Sequence, residues 1–175
     1  MTRLGPAADV IDGYLGDVLA DRRPDGEHGQ RWGTGDVKIS RVDILDAAGQ
    51  SAKRIRTGDT IVFRAHWTAT KTIERPVFQF GVTRVDGVDV SAPNTRSSGV
   101  VPETILGDGH TDLRVDRLML LPGTYDLSAS VMNFSQSHAY DARYRTFRFD
   151  VERGDPDEEG GIVTLGGQWD SPTPD

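Results

Sequence analysis

Pro76-Val77-Phe78-Gln79-Phe80-Gly81-Val82-Thr83-Arg84-Val85-Asp86-Gly87-Val88-Asp89-Val90-Ser91-Ala92-Pro93-Asn94 is the stretch whose reading decides the fold. Phe78, Phe80 and Val82 occupy alternate positions, which in an extended strand point to one side. Val77, Gln79, Gly81 and Thr83 point to the other, a flat and mixed row. Asp86-Gly87 turns the chain, and a second short strand runs into Ser91 to Arg96. The first face is suited to a core, the second to water or to a bound molecule.

The same alternation recurs on both sides. Ile61, Phe63, Ala65 and Trp67 form an inward row against Val62, Arg64, His66 and Thr68. Tyr125, Leu127, Ala129 and Val131 alternate with Asp126, Ser128, Ser130 and Met132. Arg145, Phe147, Phe149 and Val151 alternate with Tyr144, Thr146, Arg148 and Asp150. Between Ile39 and Val42 the apolar phase slips, which a β-bulge explains. Turns are expected at Asp46 to Gly49, Arg56 to Asp59, Pro122-Gly123 and around Ser135 to Asp141; Ser97 to Gly109 reads as a long connection. Strands spaced so regularly predict an all-β, antiparallel sandwich.

The ends have a different texture. Val10, Ile11, Tyr14, Leu15, Val18 and Leu19 recur at helical spacing behind Pro6, which predicts a short N-terminal helix. Gly13 and Gly16 each weaken it by about 1 kcal/mol. Residues 21–30 read as a charged linker. The expected organisation is therefore 1–30 for helix and linker, 31–152 for the sandwich, and 153–175 for a flexible acidic linker and a last strand. Ile162 to Leu165 and Trp169 lie beyond roughly ten linker residues, a reach of about 33 Å when extended. That strand fits either its own sheet or a neighbouring molecule.

Composition excludes several classes. The 175 residues carry a net charge of −7 and no dense cluster of Lys and Arg, so a nucleic-acid partner is not expected. Absence of cysteine removes disulfides and thiolate chemistry. There is no signal peptide and no apolar run of membrane-spanning length, and the chain reads as a cytoplasmic domain. No phosphate-binding Gly-x-x-x-x-Gly-Lys-Ser/Thr loop is present, nor a Gly-x-Ser-x-Gly elbow. His28, His66, His110 and His138 lack metal-ligand spacing, the carboxylates are scattered over turns, and no cofactor is expected. Arg153-Gly154-Asp155 is a short chance match.

What remains is a surface. Arg64, His66, Gln79, Thr83, Ser128, Ser130 and Met132 lie on outward rows and mix hydroxyls, an amide, a guanidinium and an imidazole with few carboxylates. Such groups hydrogen-bond sugar hydroxyls, with Met132 giving apolar contact. An ordinary wet sheet face is the alternative.

Arg31-Trp32-Gly33-Thr34-Gly35-Asp36-Val37-Lys38-Ile39, Arg56-Thr57-Gly58-Asp59, Ser91-Ala92-Pro93-Asn94-Thr95-Arg96 and Leu121-Pro122-Gly123-Thr124-Tyr125 occur in this order, followed by Ala139-Tyr140-Asp141 and Phe147-x-Phe149-x-Val151. Together they resemble the C-terminal carbohydrate-binding domain of Wzt-type ATP-binding subunits of polysaccharide ABC exporters, over about residues 31 to 169. The helix at residues 8 to 20 is similar to the tail of such a subunit's ATPase domain. The resemblance implies an immunoglobulin-like β-sandwich at the inner face of the cytoplasmic membrane that recognises a lipid-linked O-antigen polysaccharide without catalysis. It further implies an ATPase domain and a membrane permease as partners, and a homodimer formed by exchange of the C-terminal strand. A family site is not carried over, because members bind different glycans; Asn94-Thr95-Arg96 is expected to shape the hairpin end. The rival readings are a dimerisation module that binds no glycan and a carbohydrate-active enzyme.

Overall fold

A computed structural model describes residues 29–172; the expected N-terminal helix and nearly all of the linker after it lie outside them. Eight strands follow in order: β1 (Gln30–Trp32), β2 (Val37–Leu45), β3 (Ile61–Glu74), β4 (Val77–Arg84), β5 (Asp89–Ser91), β6 (Thr104–Val115), β7 (Gly123–Met132) and β8 (Ala139–Val151). They form a five-stranded sheet in the order β1-β8-β7-β4-β5 and a three-stranded sheet in the order β2-β3-β6, every pair antiparallel. Among the described residues no helix is long and apolar enough to cross a membrane.

The inward rows behave as alternation predicts. Phe78, Phe80 and Val82 of β4 are buried, as are Ile61, Phe63, Ala65 and Trp67 of β3 and Tyr125, Leu127, Ala129 and Val131 of β7. The sheets meet ring to ring. Phe63 lies 6.0 Å from Phe80 and 5.8 Å from Phe149 between centroids, and Trp67 lies 5.7 Å from Phe78. The phase slip in β2 is a register shift between Ile39 and Arg41. After Asp86-Gly87 the hairpin closes through Arg84 N–H to Val88 O at 2.8 Å.

Three expectations are corrected. The connection read as Ser97 to Gly109 ends earlier, because β6 begins at Thr104. Its glycines suggested a loop, yet Gly109 belongs to the strand because the Trp67 indole occupies its side-chain space: a Cβ there would lie 2.4 Å from the ring. Arg145 does not join the inward row of β8. A register shift opposite Leu127 and Ala129 puts it in a bulge with φ of 53°, from which its side chain reaches Asp126. Asp141 is not in a turn but buried in β8, accepting from Ile39 N–H at 2.6 Å and from Arg31 Nη2 at 2.8 Å.

The C-terminal segment seats on its own chain. Leu121 N–H donates to Ile162 O at 2.9 Å, Thr164 N–H to Met119 O at 2.8 Å, and Leu120 bridges Val163. Beyond it, Leu165 is 92% exposed and Trp169 99%.

Candidate functional site

The residues expected to form one surface lie on two. Arg64 and His66 leave β3 on the outer face of the three-stranded sheet, whereas Gln79 and Thr83 of β4 and Ser128, Ser130 and Met132 of β7 belong to the five-stranded sheet. The core separates the two groups, so they do not form one continuous site. Alternation tells inward from outward, but β3 and β4, consecutive in the chain, sit in different sheets.

On the three-stranded face the charges are already satisfied. Arg64 grips Asp112 through Nε and Nη2, both at 2.7 Å. His66 Nε2 lies 2.9 Å from Asp43 Oδ2 and 2.9 Å from Arg41 Nη2, and Thr68 Oγ1 donates to Asp108 Oδ1 at 2.6 Å. The hydrogen bond from Arg64 holds the Asp112 carboxyl below the usual carboxylate range, against a smaller opposing effect of burial. A sugar arriving here would have to displace charge-assisted bonds, the stronger kind.

The five-stranded face is arranged otherwise. Register places Gln79 beside Ser130, Ser130 beside Ala142 and Ala142 beside Trp32, one row running across four strands. The next row holds Gly81 beside Ser128, with Tyr144 and Gln30 beyond. Gly81, Ser128 and Ser130, all half-buried, thus floor a shallow trough, with Ala142 buried beside the wall formed at β1 and β8 by Trp32 and Tyr144, whose rings lie 6.5 Å apart at 54°. Gln79 lines the opposite side, where it bridges Asn94. Among the described residues the side chains of Gln79 and Ser130 engage no hydrogen-bonding partner. Ser128 Oγ accepts from Arg145 N–H at 2.8 Å, and Met132 continues the trough opposite Val77. Thr83 is only 3% exposed and donates its hydroxyl to Asp89 at 2.8 Å, so it closes the hairpin and is no contact residue.

Trp32 and Tyr144 were not expected here. Tyr144 stands in an outward row, but its meeting with Trp32 depends on β1 pairing with β8 from the other end of the chain, which no local pattern reveals.

One corner of the trough rests on a buried carboxylate. Asp126, 3% exposed, accepts from Arg145 Nε at 3.0 Å and Nη2 at 2.8 Å, and from Arg148 Nε at 2.8 Å. Burial pushes its pKa up, but the hydrogen bonds from Arg148 and Arg145 outweigh it and hold the carboxyl below its ordinary value. A folded pKa below the unfolded value of about 3.9 gives stability that is complete above roughly pH 4 and is lost as the pH falls through the folded value. Denaturant midpoints should therefore drop below about pH 4, and Asp126→Asn should flatten that decline while costing about 2 kcal/mol at neutral pH. An unchanged acid limb in the variant would contradict this assignment.

A cleft of ≈ 460 Å³ opens between the sheets beside β6, lined by Trp67, Phe78, Phe80, Ile105 and Leu113 among others. None of the seven expected residues lines it. Among the described residues no group of His, Asp and Glu is placed to hold a metal ion.

A family model described as the Wzt C-terminal domain matches residues 28–165. The O-antigen export system ATP-binding protein RfbB of Myxococcus xanthus is 31% identical over 96 residues, a match covering 55% of this chain and 22% of that protein. The match thus spans about a fifth of that curated relative's length. The crystal structure of the C-terminal domain of wzt aligns with a TM-score of 0.74 at 18% identity, over 89% of this chain and 95% of that one, a likeness of fold.

Proposed function

Because this chain belongs to the Wzt C-terminal domain family, we propose that it is a non-catalytic carbohydrate-binding domain of an O-antigen export system, and that the trough on its five-stranded sheet receives the polysaccharide. The observation that carries this reading is the trough itself. Pyranose rings have an apolar C–H face and a rim of hydroxyls. Trp32 and Tyr144 set aromatic rings at its wall, while among the described residues no group takes the donors and acceptors of the Gln79 and Ser130 side chains. A floor of small side chains lets an extended chain lie close to the backbone.

In such a system the sandwich would present the lipid-linked glycan to an ATPase domain and a membrane permease at the cytoplasmic face, with residues 1–30 joining it to the ATPase. A homodimer formed by exchange of Ile162 to Leu165 fits the exposure of Leu165 and Trp169, apolar side chains that a single chain leaves in water.

Titration with the O-polysaccharide of the producing cell tests the choice of face. Gln79→Ala should weaken binding about tenfold, the loss of one or two net hydrogen bonds. His66→Ala and Arg64→Ala should leave it within about twofold, since their groups are spent on Asp43 and Asp112. The reverse pattern would move the site to the three-stranded sheet.

A further inference from the structure

At the end of the sandwich where β3 crosses to β4, two guanidinium groups converge on one ring. Arg75 Cζ lies 3.6 Å from the Phe134 ring centroid and Arg96 Cζ 4.9 Å from it. Arg96 also donates from Nη1 to Phe134 O at 3.1 Å. Arg75 is fixed by its backbone, with φ of 44° and its N–H on Glu103 O at 2.9 Å. The turn carrying Phe134 is tied as well: Asn133 Oδ1 accepts from Ser137 N–H at 3.0 Å and His138 N–H at 3.1 Å, and Asn133 Nδ2 donates to Ser135 Oγ at 3.0 Å. Three separate segments thus hold the pair in place.

Among the described residues no carboxylate pairs with either cation. Most arginines elsewhere in the described residues meet carboxylates, as at Asp141, Asp43, Asp112, Asp86 and Asp126. Arg75 and Arg96 form no ion pair among the described residues, not even with Glu74 or Glu103 nearby in sequence. The ring face offsets only part of their mutual repulsion. A guanidinium stacked on a ring keeps its in-plane N–H donors free at the edge, the geometry that matches an oxyanion.

Position gives the occupant. Val77 and Met132 form a paired position at the end of the trough, with Arg75 and Phe134 each two residues beyond. Asn94 bridges Gln79, and Arg96 lies two residues past it. A membrane surface is a poor fit, because binding one takes a cluster of about four to eight basic residues, and this chain carries a net charge of −7. We propose that Arg75 and Arg96 form an oxyanion site that takes a carboxylate or phosphate-ester substituent of the saccharide lying in the trough. The proposal rests on the trough reading for its ligand, and on the Arg75–Phe134–Arg96 cluster for its chemistry.

The test is an NMR titration of the full chain, following the arginine Nε–H signals at constant ionic strength, with glucose 6-phosphate, glucuronate and neutral glucose. Saturable shifts at Arg75 and Arg96 are expected with both anions and none with glucose. Arg96→Gln and Phe134→Leu, which respectively remove one cation and release both, should weaken anion binding about tenfold or more, the scale of a charge-assisted pair. Arg54→Gln, at an exposed arginine outside the cluster, should change nothing. Shifts that do not saturate, or that survive Arg96→Gln and Phe134→Leu alike, overturn the site. Binding of phosphatidylglycerol vesicles that is lost in Arg96→Gln, without any response to the sugar anions, overturns the saccharide assignment. Neutral polysaccharide separates the two readings. If Trp32→Ala leaves its binding intact while the sugar anions still shift Arg75 and Arg96, the trough fails and the oxyanion site stands.

Discussion

Phe63→Ala should lower the free energy of unfolding by about 3–5 kcal/mol, the range for removing a fully buried aromatic ring. Phe63 is 2% exposed and sits between Phe80 and Phe149, so it joins the three-stranded sheet to two strands of the other. Loss of the ring leaves a cavity that the stiff sheets close only in part, and both stacking partners lose a neighbour. Against a total of about 5–15 kcal/mol for a domain, the loss removes a large share of stability. The urea midpoint should fall with little change in slope, since the surface exposed on unfolding is nearly the same. Leu106→Ser, at a side chain 63% exposed, is the comparison and should stay within about 0.5 kcal/mol. A cost below about 1 kcal/mol for Phe63→Ala would mean that the sheets do not pack on this ring.

Trp32→Ala should reduce polysaccharide affinity by about 2 kcal/mol, roughly thirtyfold, as expected of a large aromatic contact residue. Trp32 stands on β1, a short edge strand, half-buried, and faces Tyr144 across the wall of the trough. Because that strand is peripheral, the thermal midpoint should move by only a few degrees, so lost binding is not lost folding. Trp32→Phe should retain most of the affinity by keeping a ring face. Calorimetric titration with the O-polysaccharide reads both variants. Undiminished binding in Trp32→Ala would remove the trough from consideration.

Much of the sandwich is legible in the chain. The rows Phe78-Phe80-Val82 and Tyr125-Leu127-Ala129-Val131 need only period-two alternation, a local property that burial enforces. The slip at Ile39 is local too. The site is less legible, because it is assembled from strand neighbours. Nothing around Arg64 shows that its row lies across the core from that of Gln79; only the pairing of β4 with β7 and of β3 with β6 does. Ala142 owes its place between Trp32 and Ser130 to two pairings at once. Arg145 looked like a member of an alternating row because a bulge leaves no mark on composition. Its purpose shows only once Asp126 is opposite. The Gly residues of β6 misled for a related reason: Gly109 is small on account of an indole far away in sequence.

The seating of Ile162 and Thr164 on Met119 and Leu121 has a consequence for assembly. Those backbone bonds do not distinguish which copy supplies the segment. In the exchanged homodimer proposed above, opening in one chain and closing on another would conserve them, so the balance between self-closed and exchanged forms would follow mass action. Local protein concentration pulls one way. The effective concentration set by the connection through residues 152–161 pulls the other. Two copies tethered side by side in a larger assembly would meet at high local concentration, and the same segment that closes a lone chain would then bind the pair together. In that dimer the C-terminal strand would act as a proximity sensor whose set point is the length of its own leash.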